Sequence, residues 1–341
     1  MRGHRWIAPG VAAATSVLAV WALLLGSDAR QPPSGRSHPA ADHRPPPPII
    51  PAAAGAELFD ASDLGRVAVL SEPVGRPVAA RYLERMFWLF DRSSRSFVAI
   101  DPATGAVVRR LPSPVTDVGF FTAEGRMMWI TDEADGVTAI DIRDGHVVRR
   151  FARLPGAGGS AGVVVDAGSL WVARPAADNG NGLLVRLDLR TGAVRKPIIR
   201  GQPGTFALAT AAGGAIWTAG TFGNINRIDP ATGAVVRGVT EGRNFDVAAG
   251  GGYGWTADRL HGVVYQVNER GEVVAQYPTA PGAGAVSYAD GALWVANGPR
   301  GTATRIAAGR TTTLRFDRRV RALVAGAGVV LIAFGAPLPA R

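Results

Sequence analysis

The nine residues Asp101-Pro102-Ala103-Thr104-Gly105-Ala106-Val107-Val108-Arg109 recur verbatim from Asp229 to Arg237. Weaker copies stand at Asp141-Ile142-Arg143-Asp144-Gly145, Asp188-Leu189-Arg190-Thr191-Gly192 and Asn268-Glu269-Arg270-Gly271. In such a stretch Asp caps a turn, Pro presets φ at the next position and Gly supplies a left-handed residue. Ahead of each turn lies a hydrophobic run holding one Trp: Trp88, Trp129, Trp171, Trp217, Trp255 and Trp294. In a seventh run, Val329-Val330-Leu331-Ile332-Ala333, Leu331 takes the place of Trp. Consecutive positions in this series are separated by 41, 42, 46, 38, 39 and 37 residues. Apolar and alternating segments flank both markers; in the second unit they fall at 117–122, 126–131, 137–141 and 146–151. Alternation with β-branched enrichment reads as strand. Four strands repeated in line about every 40 residues describe a β-propeller.

The chain stops soon after Leu331, too early for two further strands, while Leu58-Phe59-Asp60 and Gly65-Arg66-Val67-Ala68-Val69 supply a strand–turn–strand at the front. Asp60 precedes Asp101 by one repeat of 41 residues. The expected fold is therefore all-β: a seven-bladed propeller over 57–341, closed by strands from both termini. Closure removes a free sheet edge.

Two units precede the ring. Arg2 and Arg5 flank an uncharged stretch from Trp6 to Leu25, about the length of a membrane-crossing helix. Residues 1–29 thus read as an uncleaved signal anchor or a signal peptide cleaved near Ser27-Asp28-Ala29. Basic residues ahead of the apolar run place the rest outside the membrane, attached or secreted. Residues 30–56, with Pro32-Pro33 and Pro45-Pro46-Pro47-Pro48, read as a semi-rigid disordered spacer.

The units Leu170-Trp171-Val172-Ala173, Leu293-Trp294-Val295-Ala296-Asn297-Gly298 and Asn226-Arg227-Ile228-Asp229-Pro230-Ala231-Thr232-Gly233 resemble repeats of the YVTN/streptogramin-lyase-like propeller superfamily, across about 57–341. The resemblance implies the propeller fold. For activity it implies a His general base with Mg²⁺ held by carboxylates. The superfamily also holds many surface proteins without a known reaction, and fold alone does not transmit chemistry.

Composition excludes more than it selects. The 341 residues include 44 Gly and no Cys, which removes disulfides, thiolate metal sites and thiol catalysis. Arg carries nearly all the basic charge, Lys196 being the single Lys, a bias that suits a GC-rich bacterial genome. Net charge is +10, and Arg300, Arg305, Arg310, Arg315, Arg318, Arg319 and Arg321 face only Asp317 within one short stretch. Such a basic patch would attract anions, so an envelope polyanion or glycan is one expected partner class and a protein another. Aromatic interleaving is sparse, which argues against nucleic acid.

The position three after each Trp follows the second strand, on the face where propellers dock ligands. Asp91, Asp132, Arg174, Asp258 and Asn297 occupy it and are expected to form a polar rim, with Gly220 and Phe334 completing the series. Flanking loops add Glu133, Asp135, Asp178, Asn179, Asn181, Asn224, Arg259, His261 and Arg300. Adjacent carboxylates there could hold Mg²⁺ or Ca²⁺, although no cofactor is specified. His261, beside Asp258, is the candidate base. Two functions follow: a non-catalytic extracytoplasmic binding scaffold, or a metal-assisted lyase or hydrolase using His261 and Asp258.

Overall fold

The computed structural model describes residues 47–339, apart from 54, 133–135, 153, 156–160, 175–180, 204, 211–213 and 221. The apolar segment Trp6–Leu25 lies outside these residues; among the described ones no helix is long and apolar enough to cross a membrane.

Three strands open the described chain: β1 (Ile49–Ile50), β2 (Ala56–Asp60) and β3 (Arg66–Val69). Blade one follows as β4 (Pro77–Leu83), β5 (Met86–Asp91), β6 (Ser96–Ile100) and β7 (Val107–Pro112). Blade two is β8 (Val118–Glu124), β9 (Met127–Asp132), β10 (Gly136–Asp141) and β11 (Val147–Ala152). Blade three is β12 (Val163–Asp166), β13 (Ser169–Arg174), β14 (Asn181–Asp188) and β15 (Val194–Pro203). Blade four is β16 (Thr205–Thr210), β17 (Ile216–Gly220), β18 (Asn224–Ile228) and β19 (Val235–Val239). Blade five is β20 (Asn244–Gly250), β21 (Tyr253–Asp258), β22 (Val263–Val267) and β23 (Val273–Pro278). Blade six is β24 (Ala283–Ala289), β25 (Ala292–Asn297), β26 (Thr302–Ala307) and β27 (Arg310–Phe316). The last two strands, β28 (Arg318–Gly326) and β29 (Val329–Pro337), join β2 and β3 in the order β28-β29-β2-β3. The seventh blade is thus made from both ends of the ring, with Leu58 opposite Leu331.

Seven apolar clusters fill the seven gaps between blades. Trp88 packs with Phe121, Met128 and Ile130 of the next blade, and Trp171 with Ile216 and Ile228. Leu331 completes the circle against Phe87 and Leu89 of blade one. All six Trp side chains of the series are buried, 0–6% exposed. An aromatic ring in each gap supplies the largest apolar area per residue.

In blades one to four and in the closing blade, the repeated Asp builds a polar turn at the opposite end from the loop after the second strand. Asp101 Oδ1 accepts from the Ala103 amide at 2.8 Å and the Thr104 amide at 2.9 Å, and Gly105 adopts φ 70°. The Thr104 amide, then that of Ala103, hold the Asp101 carboxyl below its ordinary pKa. Arginines reach from these blades to their neighbours' turns. Arg109 donates to the Ile142 carbonyl at 2.6 Å and Arg186 to the Pro230 carbonyl at 3.1 Å, while Arg149 donates to the Arg190 carbonyl.

Residues 47–53, placed by composition in the spacer, are ordered on the ring. Ile49 and Ile50 pair in parallel with Arg315 and Phe316, extending blade six to five strands. Asp317 accepts from the Ala52 amide at 2.9 Å, and Arg318 donates to the Ala52 carbonyl at 3.1 Å. Two residues are too few to show alternation, so nothing in the local sequence marks this strand.

Candidate functional site

The side chains of Asp91, Asp258 and Asn297, at the ends of their second strands, lie beneath the loops rather than around the channel mouth. Asp91 and Asn297 are 2% exposed, and Arg174 and Asp258 are fully buried. Each connection that enters a blade brings unpaired backbone groups over the end of that blade's second strand, and these need partners. Asp91 accepts from the Arg76 amide at 2.8 Å, the Ser93 hydroxyl at 2.7 Å and the Ser94 hydroxyl at 2.8 Å. Burial alone would raise its carboxyl, but these donors outweigh it and bring the pKa down to about 2. Asp258 accepts from the Leu260 amide at 2.8 Å and the Arg243 amide at 3.3 Å. Asn297 donates to the Pro281 carbonyl at 2.8 Å and accepts from the Arg300 amide at 3.3 Å. Three positions of the expected rim therefore tie the outgoing turn of a blade to the connection entering it. Asp132 is half-buried. Glu133, Asp135, Asp178 and Asn179 fall outside the described residues, as does the side chain of Asn181.

His261 follows on the same turn as Asp258. Its Nδ1 contacts Asp258 Oδ2, with the imidazole 64% exposed above a carboxylate that has no exposure. A buried acceptor on one ring nitrogen orients the other toward solvent, an arrangement able to pass a proton. Among the described residues no three His, Asp or Glu side chains converge as a metal site.

The seven arginines of the expected basic patch do not share one surface. Arg305 pairs with Trp294 in the interior of blade six and is half-buried. Arg310 begins β27 and is exposed, whereas Arg300 belongs to the turn after β25 at the other end of the blade. Arg315 and Arg318 hold the Pro47 and Ala52 carbonyls, at 3.5 and 3.1 Å. Arg319 and Arg321 are exposed on β28, the innermost strand of the closing blade. Consecutive arginines in sequence diverge because alternate residues of a strand face opposite ways.

Two further features were not visible in the repeat. The first is the channel. The innermost strand of each blade is a sheet edge, and its pairing with the second strand slips near its start in six blades, at Pro77/Ala79, Val118/Phe121, Thr205/Ala207, Asn244/Val247, Ala283/Ala285 and Val320/Ala322. Bulges of this kind re-aim side chains. Below them lies a cavity of about 300 Å³ lined by inner strands, including Arg81, Thr122, Asp246, Ser287, Tyr82 and Tyr288. Asp246 Oδ2 accepts from the Val286 amide at 3.0 Å, and Ser287 Oγ accepts from the Ala325 amide at 3.0 Å, so these side chains satisfy the neighbouring blade's open edge. Burial raises the Asp246 carboxyl above its ordinary pKa, against the opposing charge of Arg81 and two backbone donors.

The second feature is apolar. Phe222, Val239 and Leu260 are 68%, 77% and 56% exposed. The turn of Phe222 and the turn of Leu260 both bond to the connection that follows Val239. Thr240 donates to the Gly223 carbonyl at 2.8 Å, and Arg259 donates to the Arg243 carbonyl at 3.1 Å.

No family model matches the chain, and no curated protein matches it. Among solved structures it is similar to the computationally designed protein Ika8, with a TM-score of 0.57 and 13% identity over 79% of this chain and 96% of that one. It is also similar to BamB from Moraxella catarrhalis, with a TM-score of 0.53 and 14% identity over 86% of this chain and 95% of that one. At these identities the likeness is one of fold.

Proposed function

We propose that this propeller is a non-catalytic scaffold outside the cell membrane that binds a protein partner through the loop face of blades four and five. The observation that carries the reading is the grouping of Phe222, Val239 and Leu260, exposed around one connection. Exposed apolar groups on a rigid frame are the usual anchors of protein recognition. The location rests on the basic residues and apolar stretch before residue 26.

The chain has no Cys, so a single introduced one is chemically unique. A membrane-impermeant maleimide carrying a photo-crosslinker is expected to label Leu260→Cys in intact cells and, after illumination, to yield one discrete protein adduct. Val274→Cys, on the outer strand β23, should be labelled without that adduct. Failure of labelling overturns the location; equal adducts at both positions, or none, overturn the docking face.

The contact between His261 and Asp258 favours a second reading, a general-base lyase of the type the repeats resemble. In that case the purified protein with Mg²⁺ opens a streptogramin B ring, and His261→Ala removes the turnover. An inactive wild-type protein sinks this reading.

A further inference from the structure

The channel cavity holds one positive and one negative side chain that feel each other's charge but do not form an ion pair. Arg81 and Asp246 are the only two formally charged residues among the described side chains that line it. They belong to blades one and five, so two blades separate them on one side of the ring and three on the other. No ion pair joins them within 4.0 Å. Each is instead held by its own anchor. The Arg81 guanidinium donates to the Ala80 carbonyl at 2.9 Å and lies 5.7 Å from the centre of the Phe120 ring. The Asp246 carboxylate is held by the Val286 and Val247 amides, both at 3.0 Å.

Opposite charges facing one channel attract more strongly than they would in bulk water. Here each side chain is instead tied by hydrogen bonds to its own backbone partners. Four of the five guanidinium N–H groups remain for a carboxylate, in a fork suited to two-point binding. The carboxylate oxygens keep lone pairs that an ammonium group can fill. Between the two ends, Ser287 uses its oxygen as an acceptor for Ala325 and so keeps its O–H to donate, while Ala248, Val164 and Val324 provide apolar wall. The volume stands at the lower end of the range for ligand pockets, which suits a molecule of a few heavy atoms.

We infer that the central channel binds a small zwitterion of the free α-amino acid class, its carboxylate on Arg81 and its ammonium group on Asp246. This site is independent of the loop face assigned above to a protein partner. A molecule with both charges satisfies both ends at once, and one with a single charge leaves the other end desolvated and unpaired, which is the costly outcome.

Calorimetric titration of the purified full-length protein with each of the twenty common amino acids is expected to find at least one with Kd below about 1 mM, equivalent to roughly 4 kcal/mol. For that amino acid, the analogue lacking the amine and the analogue lacking the carboxyl should each bind at least ~10-fold more weakly, about 1.4 kcal/mol. Arg81→Gln and Asp246→Asn keep a donor for the Ala80 carbonyl and an acceptor for the Val286 amide. Each should weaken the zwitterion by a similar factor with the unfolding temperature held. Absence of binding across all twenty, or an amine or acid alone binding as tightly as the zwitterion, overturns the proposal. So does wild-type affinity in both variants. If a variant fails to fold, the two analogues on the wild-type protein still decide it.

Discussion

A chain that starts at Ser71, without β1, β2 and β3, is expected to lose cooperative unfolding altogether, whereas moving residues 56–70 to follow 337 in that chain should restore it. In the native ring β2 is the third strand of the closing blade and buries Ala56, Leu58 and Phe59 to 1% exposure or less. Truncating one large buried side chain costs about 2–5 kcal/mol, so losing the whole strand approaches the ~5–15 kcal/mol that holds a domain together. The loss is also topological. Without β2, the strand β29 becomes an edge carrying Leu331 and Ile332, which are fully buried in the closed ring. Phe59→Ala grades the same effect, at about 3–5 kcal/mol. Calorimetry distinguishes the cases. A sharp transition in the chain lacking β1 to β3 would show that six four-stranded blades and a hairpin suffice. Failure of the permuted chain would show that the order of the strands, and not only their presence, matters.

Gly254→Ala is the second large effect, at about 3 kcal/mol of destabilisation. Gly254 is in β21 and pairs with Val267, and a Cβ built there would lie 2.2 Å from Trp217 Cε3. Trp217 is 2% exposed in the gap between blades four and five, so it has nowhere to move. The glycine is thus a seat for its neighbour's indole. Gly284→Ala is the matched control, since the nearest atom to its Cβ would be 4.0 Å away and its φ is ordinary. Thermal melts should show a fall of about 5 °C for the first and a negligible change for the second. Equal shifts would remove the packing explanation.

The parts legible in sequence are those that every blade must repeat. Trp88, Trp129, Trp171, Trp217, Trp255 and Trp294 recur because each gap needs a large apolar group, and Asp101 and Asp229 recur because a turn of this shape is held by an Asp cap. The closure was legible too, through Asp60 and Leu331. At the end of the second strand the position was readable but its task was not. Asp91, Asp258 and Asn297 looked like an open polar ring and proved to be fastenings under the loops, since nothing local reveals that a connection folds over them. The channel was the least legible. Residues opposite the Trp, or opposite Leu331 in the closing blade, on the innermost strand include Arg81, Thr122, Val164, Ala248, Ser287 and Val324, a mixture of charged, polar and apolar types with no repeated pattern. An edge facing an open cavity imposes no common shape, so no pattern accumulates there.

The pairing of Leu58 with Leu331 has a temporal side as well. Those residues are 273 positions apart, so at about 5–20 residues per second the ribosome needs roughly 15–55 s to deliver the second after the first. Throughout that interval β2 can pair only with β3, and the edge that will receive β29 stays open to other surfaces. Blades one to five can assemble by local pairing as they emerge, and the final join waits on β28 and β29. The ring is therefore at greatest risk of aggregation just before it is complete.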